Sequence, residues 1–131
     1  MKLFFLCNPH NPVARVWTKE ELTRMGEICQ KYQVKVVSDE IHADFVFKGK
    51  HQVFAAISKE FADFTITCTS PSKTFNLAGL QISNIFISNP QIRETFKQEI
   101  NRAGYSQLNV AGLVGCEAAY SDGEEWYEAM R

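Results

Sequence analysis

Three short runs rich in β-branched and aromatic residues, 2–7, 34–38 and 64–70, alternate with segments of helical periodicity, and this alternation narrows the possible folds more than any other feature of the chain. Strand, helix, strand, helix, strand predicts a mostly parallel sheet with helices packed over it. In the first intervening segment Thr18 is followed three residues later by Glu21, the spacing of a capping box, and Leu22, Met25, Ile28, Cys29 and Tyr32 then fall on one helical stripe. A short helix is expected at 54–61, another strand at 81–88, a helix entered through Pro90 and ending near 103, and a last helix at 110–120 capped by Asn109. EEWYEAMR, after Gly123, is again helical in propensity. The expected fold class is α/β, three layers in the order αβα, with open sheet edges.

A chain of 131 residues, 45% apolar and 22% charged, suits one globular domain over 1–131. Its 14 basic and 15 acidic residues give a formal charge of -1 without a long run of either sign, so no electrostatic footprint for nucleic acid or an anionic membrane is present. The apolar opening meets Asn8 and Pro9 after a few residues, which predicts a strand entering a turn rather than a signal peptide. Cys7, Cys29, Cys68 and Cys116 are widely spaced with no CxxC. They read as free thiols of a reducing, cytoplasmic compartment, the other reading being a metal or disulfide set.

Ligands of parallel sheets sit outside the carboxyl ends of the strands, which singles out 8–12, 39–42 and 70–73. Each carries a residue with two readings. Asn11, in a double Asn-Pro turn, is a turn former or a ligand contact. Asp39, expected near the interior mouth of the sheet, is a cap or ion-pair partner, or an anion that keeps a proton on the ring nitrogen of a cofactor. His42 is a loop histidine, or a group that bonds or stacks on the same ring. His10, His42 and Asp39 together match no compact metal site. Lys73, among Ser70, Ser72 and Thr74, is a solvated charge or an amine held for chemistry. Ser70 and Ser72 are able to donate to a phosphate, and Gly79 permits close backbone approach. A Schiff-base lysine with phosphate donors beside it and an aspartate from the preceding strand describes pyridoxal phosphate held for carbanion chemistry. The bland alternative, another phosphate ligand, has neither GxGxxG nor GxxxxGK[ST] behind it.

CNPHNP at 7–12, VVSDEIHADFVF at 36–47 and TSPSKTFNLAGLQ at 69–81 resemble the middle of a fold-type-I pyridoxal-phosphate enzyme. More narrowly they resemble the carbon–sulfur β-lyase branch, of cystathionine β-lyase or cysteine desulfhydrase type, within the class I/II aminotransferase superfamily. Lys73 follows Asp39 by 34 residues with one strand between, as in that family. The resemblance implies that Lys73 binds the cofactor covalently and then takes the α proton, that Asp39 pairs with the pyridinium nitrogen, and that Asn11 donates to the phenolic oxygen. It implies phosphate contacts for Ser70 and, more weakly, Ser72. His42 stands where many aminotransferases have tyrosine, and Gln81 where aspartate-type aminotransferases have a phosphate-binding arginine; both departures suit the lyase branch. Ala14 replaces a glycine usual after the turn, with strain expected if its φ is positive.

The implied activity is β-elimination of a small sulfur amino acid, of cystathionine or cysteine type, to thiol, pyruvate and ammonia, in a homodimer. Two alternatives stay open: an aminotransferase using a keto-acid acceptor, and a truncated module without activity. The last arises because the family's glycine-rich phosphate loop, ring-stacking aromatic and carboxylate-gripping arginine have no counterparts in these residues, so the chain resembles an internal piece of the large domain. The stripes of Leu22 and Met25, and of Phe96 and Ile100, are then expected to lack part of their cover.

Overall fold

The structure, a computed structural model, describes residues 2–105 and 107–131. Strands β1 (Leu3–Cys7), β2 (Lys35–Asp39) and β3 (Thr65–Thr69) run parallel side by side, and β4 (Asn84–Ile87) joins β3 antiparallel at the edge. The sheet is therefore mixed. The predicted strand at 81–88 is reduced to its second half, because the segment after β3 coils into turns, the last at Ala78–Leu80, and forms no crossover helix that would return β4 in parallel.

Helix α1 (Lys19–Lys31) starts as its sequence demands: the Glu21 N–H donates to Thr18 Oγ1 at 3.2 Å and the Thr18 N–H to Glu21 Oε2 at 3.0 Å. It ends in a Schellman turn, with Val34 N–H on the Cys29 carbonyl at 2.8 Å and Gln33 N–H on that of Gln30 at 3.1 Å. Gln33 takes the left-handed position there, at φ 53°.

Register decides which strand residues face α1. Phe4 and Leu6 pair with Val36 and Ser38, and Leu6, Val36 and Val34 join Leu22, Cys29, Phe54 and Phe61 in one core. Gly26 has a structural reason: a Cβ there would stand 2.1 Å from the Phe61 ring. Leu22 is 0% exposed, so the expectation of missing cover fails at that residue, whereas Met25 is half-buried and Ile28 and Tyr32, farther along the stripe, are exposed. Ring packing supplies that cover, with Phe54 stacked on Phe61 at 5.4 Å and Phe64 tilted against Phe61. The helix expected at 54–61 is instead a 3₁₀ turn, Phe54–Ala56, followed by α2 (Lys59–Asp63). Ser58 sits between them in extended backbone and takes the Phe61 N–H on its side chain, so it starts a second helix rather than continuing the first.

The opposite face of the sheet carries Phe5, Val37 and Ile66, and Phe5 is 71% exposed. Helix α3 (Pro90–Arg102), capped by Asn89, brings Ile92 and Phe96 to a concavity beside Ile66, which makes the third layer. Helices α4 (Val110–Asp122) and α5 (Glu124–Met130) follow; among their residues only Gly112 is buried, and α3 buries none. Asn109 caps α4 as predicted, accepting the Gly112 N–H at 2.6 Å. Phe96 and Ile100 stay half-covered, as expected for that stripe.

Candidate active site

The three parallel strands all point their carboxyl ends to one side, where Cys7, Asp39 and Cys68 stand in register. Strand alternation places Asp39 and Glu40 on opposite faces, and this reverses the sequence expectation about which carboxylate lies inside. Glu40 points to the core side and is 2% exposed. Its Oε1 accepts the Ser38 hydroxyl at 2.8 Å and the Phe54 N–H at 3.1 Å, while Oε2 accepts His51 Nε2–H at 2.7 Å. His51 Nδ1 is buried without a hydrogen-bond partner among the described residues. This network closes the base of the loop that carries His42. Sequence reasoning missed it; the available signal was a second acid directly after an apolar strand, which needs a partner once buried.

Asp39 is exposed, not interior. Its carbonyl accepts the Asn8 N–H at 3.0 Å, and its Oδ1 accepts the Ile41 N–H at 3.2 Å, while Oδ2 has no hydrogen-bond partner among the described residues. Next to it, burial and then the charges of Asp39 and Glu40 push the Cys68 thiol up. Cys68 is thereby kept protonated and poorly nucleophilic at the strand end.

The two asparagines of CNPHNP divide the work. Asn8 is fully buried and committed, its Oδ1 taking the Trp17 N–H at 3.1 Å and its Nδ2 donating to the Gln52 carbonyl at 3.2 Å. Asn11 is exposed with no side-chain hydrogen bond among the described residues, and both Asn-Pro bonds of the segment are cis. Asn11 and His42 line one concavity of about 340 Å³, walled by His10, Phe45 and Phe47. Ala14 lies on its rim at φ 54°, which meets the condition under which strain is expected there.

Lys73 is exposed and makes no ion pair among the described residues. Its turn is closed by Phe75 N–H on the Pro71 carbonyl and Leu77 N–H on that of Ser72, both at 2.9 Å. Ser70 is buried; its hydroxyl donates to the Ile82 carbonyl at 2.7 Å and accepts the Ser72 N–H at 3.0 Å. The Ser70 proton is thus engaged in holding the turn, whereas the Ser72 hydroxyl is unengaged among the described residues. Gln81, at φ 52°, ends the Ala78–Leu80 turn and is exposed. The structure joins Asn11 with His42 in one concavity, sets Asp39 at the adjoining strand end, and links Ser70 to Ser72 beneath Lys73. Ser70 itself lines a different concavity, shared with Thr69, Asn84 and Tyr120.

Over residues 1–131 the chain matches the family described as aminotransferase class I and II. The chain belongs to that family. Within it, similarity runs to the carbon–sulfur lyase branch. The chain is 48% identical over 129 residues to cystathionine beta-lyase PatB of Bacillus subtilis (strain 168), a match covering 98% of this chain and 33% of that protein. Among solved structures it aligns with cystalysin from Treponema denticola, which contains a pyridoxal 5'-phosphate cofactor, at a TM-score of 0.94 and 42% identity, over 98% of this chain and 33% of that one. It aligns with the pyridoxal-phosphate-bound C–S lyase of Staphylococcus hominis at 0.89 and 40% identity, over 99% and 32% respectively. The chain spans about a third of the length of these relatives. Its α/β fold is part of the fold-type-I large domain.

Proposed function

We propose that Asn11, Asp39, His42 and Lys73 hold pyridoxal phosphate and that the protein catalyses β-elimination of a small sulfur amino acid. The observation that carries this reading is a division among the polar groups at the strand ends. Asn8, Ser38, Glu40 and Ser70 spend their hydrogen bonds inside the protein, while the Asn11 amide, Asp39 Oδ2 and the Lys73 amine spend none among the described residues. A nucleophilic amine, a free carboxylate oxygen and an amide donor suit the aldehyde, the protonated ring nitrogen and the phenolic oxygen of this cofactor.

When bound, the cofactor supplies an electron sink for negative charge at the substrate Cα. Lys73 would hold it covalently and would take the α proton of the substrate on Nζ. Asp39 keeps the ring nitrogen protonated through Oδ2, and Asn11 donates Nδ2–H to the phenolic oxygen. His42, whose ring lies 5.9 Å from that of Phe45 with no hydrogen bond among the described residues, is free to turn to the same oxygen. The Ser72 hydroxyl, and the Ser70 hydroxyl after exchanging its bond to Ile82, serve the phosphate. Elimination of thiolate then consumes one water and yields pyruvate and ammonia. The histidine at 42 and the glutamine at 81 favour this outcome over transfer of the amino group. Family membership keeps transamination as the rival, and the proposed working form is a homodimer.

Incubating the chain with cofactor and cystathionine or cysteine, then assaying pyruvate, separates the outcomes. Pyruvate released without a keto acid, and abolished in Lys73→Ala, is expected; strict dependence on a keto acid defeats the lyase reading. A second reading, binding without turnover, rests on the exposure of Asn11, Asp39 and Lys73, since water around a site weakens every electrostatic interaction in it. Covalent labelling of Lys73 with no pyruvate from any sulfur amino acid is its signature.

A further inference from the structure

The turn that carries Lys73 is tied down on both sides of that residue. Behind it, Ser72 N–H is held by Ser70 Oγ, which is itself anchored on the Ile82 carbonyl. Ahead of it, Thr74 is 2% exposed and donates its hydroxyl to Asp44 Oδ2 at 2.6 Å. The Thr74 carbonyl accepts Trp126 Nε1–H at 3.2 Å, and the Asp44 carbonyl accepts the Tyr127 hydroxyl at 3.2 Å. The next residue, Phe75, packs edge-on against Tyr120 at 6.1 Å. A Cβ on Gly123 would stand 2.4 Å from the Phe75 ring, so the α4–α5 junction has to be glycine for that ring to keep its place.

Asp44 belongs to the Ala43–Phe45 turn, which His42 leads into, and it makes no ion pair among the described residues. Its carboxylate is spent on a hydroxyl from the lysine turn, in a short charge-assisted bond. One bond therefore couples the segment of His42 to the segment of Lys73, and α5 backs both partners. Pinning the backbone on either side of a long, freely rotating side chain narrows where its amine can go without burying it.

We propose that Asp44 is a positioning residue for Lys73, acting through Thr74, with Trp126 and Tyr127 holding the pair from α5. Its consequence for catalysis rests on the reading of Lys73 as the cofactor-binding lysine, so two separate measurements are needed. In the first, pyridoxal phosphate is added to the full chain. The Lys73 amine condenses with the aldehyde, losing water, and borohydride reduces the product to a stable secondary amine whose formation is timed by peptide mapping. Asp44→Ala and Thr74→Val are each expected to slow labelling of Lys73 about tenfold, with the double variant no slower than either single one, because both remove the same bond. Asp44→Asn, which keeps an acceptor oxygen, is expected to recover most of the loss. Exposed Lys97 should label at one rate throughout.

The second measurement, amide hydrogen exchange without cofactor, is expected to show faster exchange at 70–77 in Asp44→Ala while α1 keeps its protection. Trp126→Phe, which keeps a ring and loses the donor, gives the same local opening if Asp44→Ala does not fold. Labelling that is unchanged in Asp44→Ala and Thr74→Val, losses that add in the double variant, or an unchanged 70–77 segment overturns the proposal. Absence of Lys73 labelling in the parent chain, together with local opening in the variants, supports the positioning contacts and defeats the cofactor reading instead.

Discussion

The part of the chain up to β3 and the part after it are packed to different densities. In the first, Leu22, Val36 and Phe54 are completely buried among ring and aliphatic neighbours. In the second, α3 and α5 bury no residue and α4 buries only Gly112, while Val110, Leu113, Val114 and Trp126 stand exposed. The difference follows from topology. Parallel strands cross over through α1 and the 54–63 segment on one face, so Leu22, Cys29, Phe54 and Phe61 meet the sheet there, whereas the later helices lie against the edge strand, the turns that follow β3, the Asp44 turn and one another. Asn11, Asp39 and His42 hang from the dense part. Lys73 stands at the junction, where its turn leans on α5.

The sharpest way to break this contrast is to delete volume on each side. Leu22→Ala is expected to cost about 3 kcal/mol and Phe96→Ala no more than about 1, because one side chain leaves a cavity and the other is already half in water. Urea unfolding of both variants checks this; equal losses would show that the two parts are equally packed. Gly26→Ala tests the dense part from the opposite direction, since the new methyl meets the Phe61 ring: a loss of about 2 kcal/mol is expected, relieved in part by Phe61→Leu.

Strain inside the dense part is smaller. Ala14→Gly should stabilise the chain by about 1 kcal/mol and raise its melting temperature, because alanine is held at φ 54°. Gln33→Gly, in the Schellman turn of α1, should act in the same direction. A melting temperature that falls in both variants would mean that the side chains, not the backbone, decide these positions.

The smallest effect concerns acid. The Thr18 N–H, then Arg15, hold the Glu21 carboxyl below the usual carboxylate range. A carboxyl depressed in the folded state stabilises it above the unfolded carboxyl's range, and that contribution is lost as pH falls through the depressed value. Thermal melts in acid should show parent and Glu21→Gln converging as the carboxylate is protonated, with the parent ahead near neutrality. A gap that persists in acid would assign the benefit to something other than the carboxylate charge, since glutamine keeps an acceptor for the Thr18 N–H.

Much of this was legible from residues alone. Thr18 with Glu21, and Asn109, act through bonds within a turn of themselves, and Pro90 through its fixed φ at the first helical position, so helix starts follow from spacing. The strain at Ala14 was legible only as a condition, since the resemblance supplies the glycine usual there and the structure supplies the positive φ. The break at Ser58 was harder to read, because the propensity of 54–61 is helical and only competition from the serine hydroxyl divides it.

The sequence by itself determined the alternation of strands and helices, their caps, the family, and the candidate residues Asn11, Asp39, His42, Ser70, Ser72 and Lys73. Tertiary structure decided which of their polar atoms are already spent. It put Glu40 rather than Asp39 in the core, sent the Ser70 proton to Ile82, and joined Asp44 to Thr74 across 30 residues of chain. The physical reason is range: propensities and caps act within a few residues, while the pairing of a buried hydrogen-bonding group depends on what distant segments bring within about 3 Å of it.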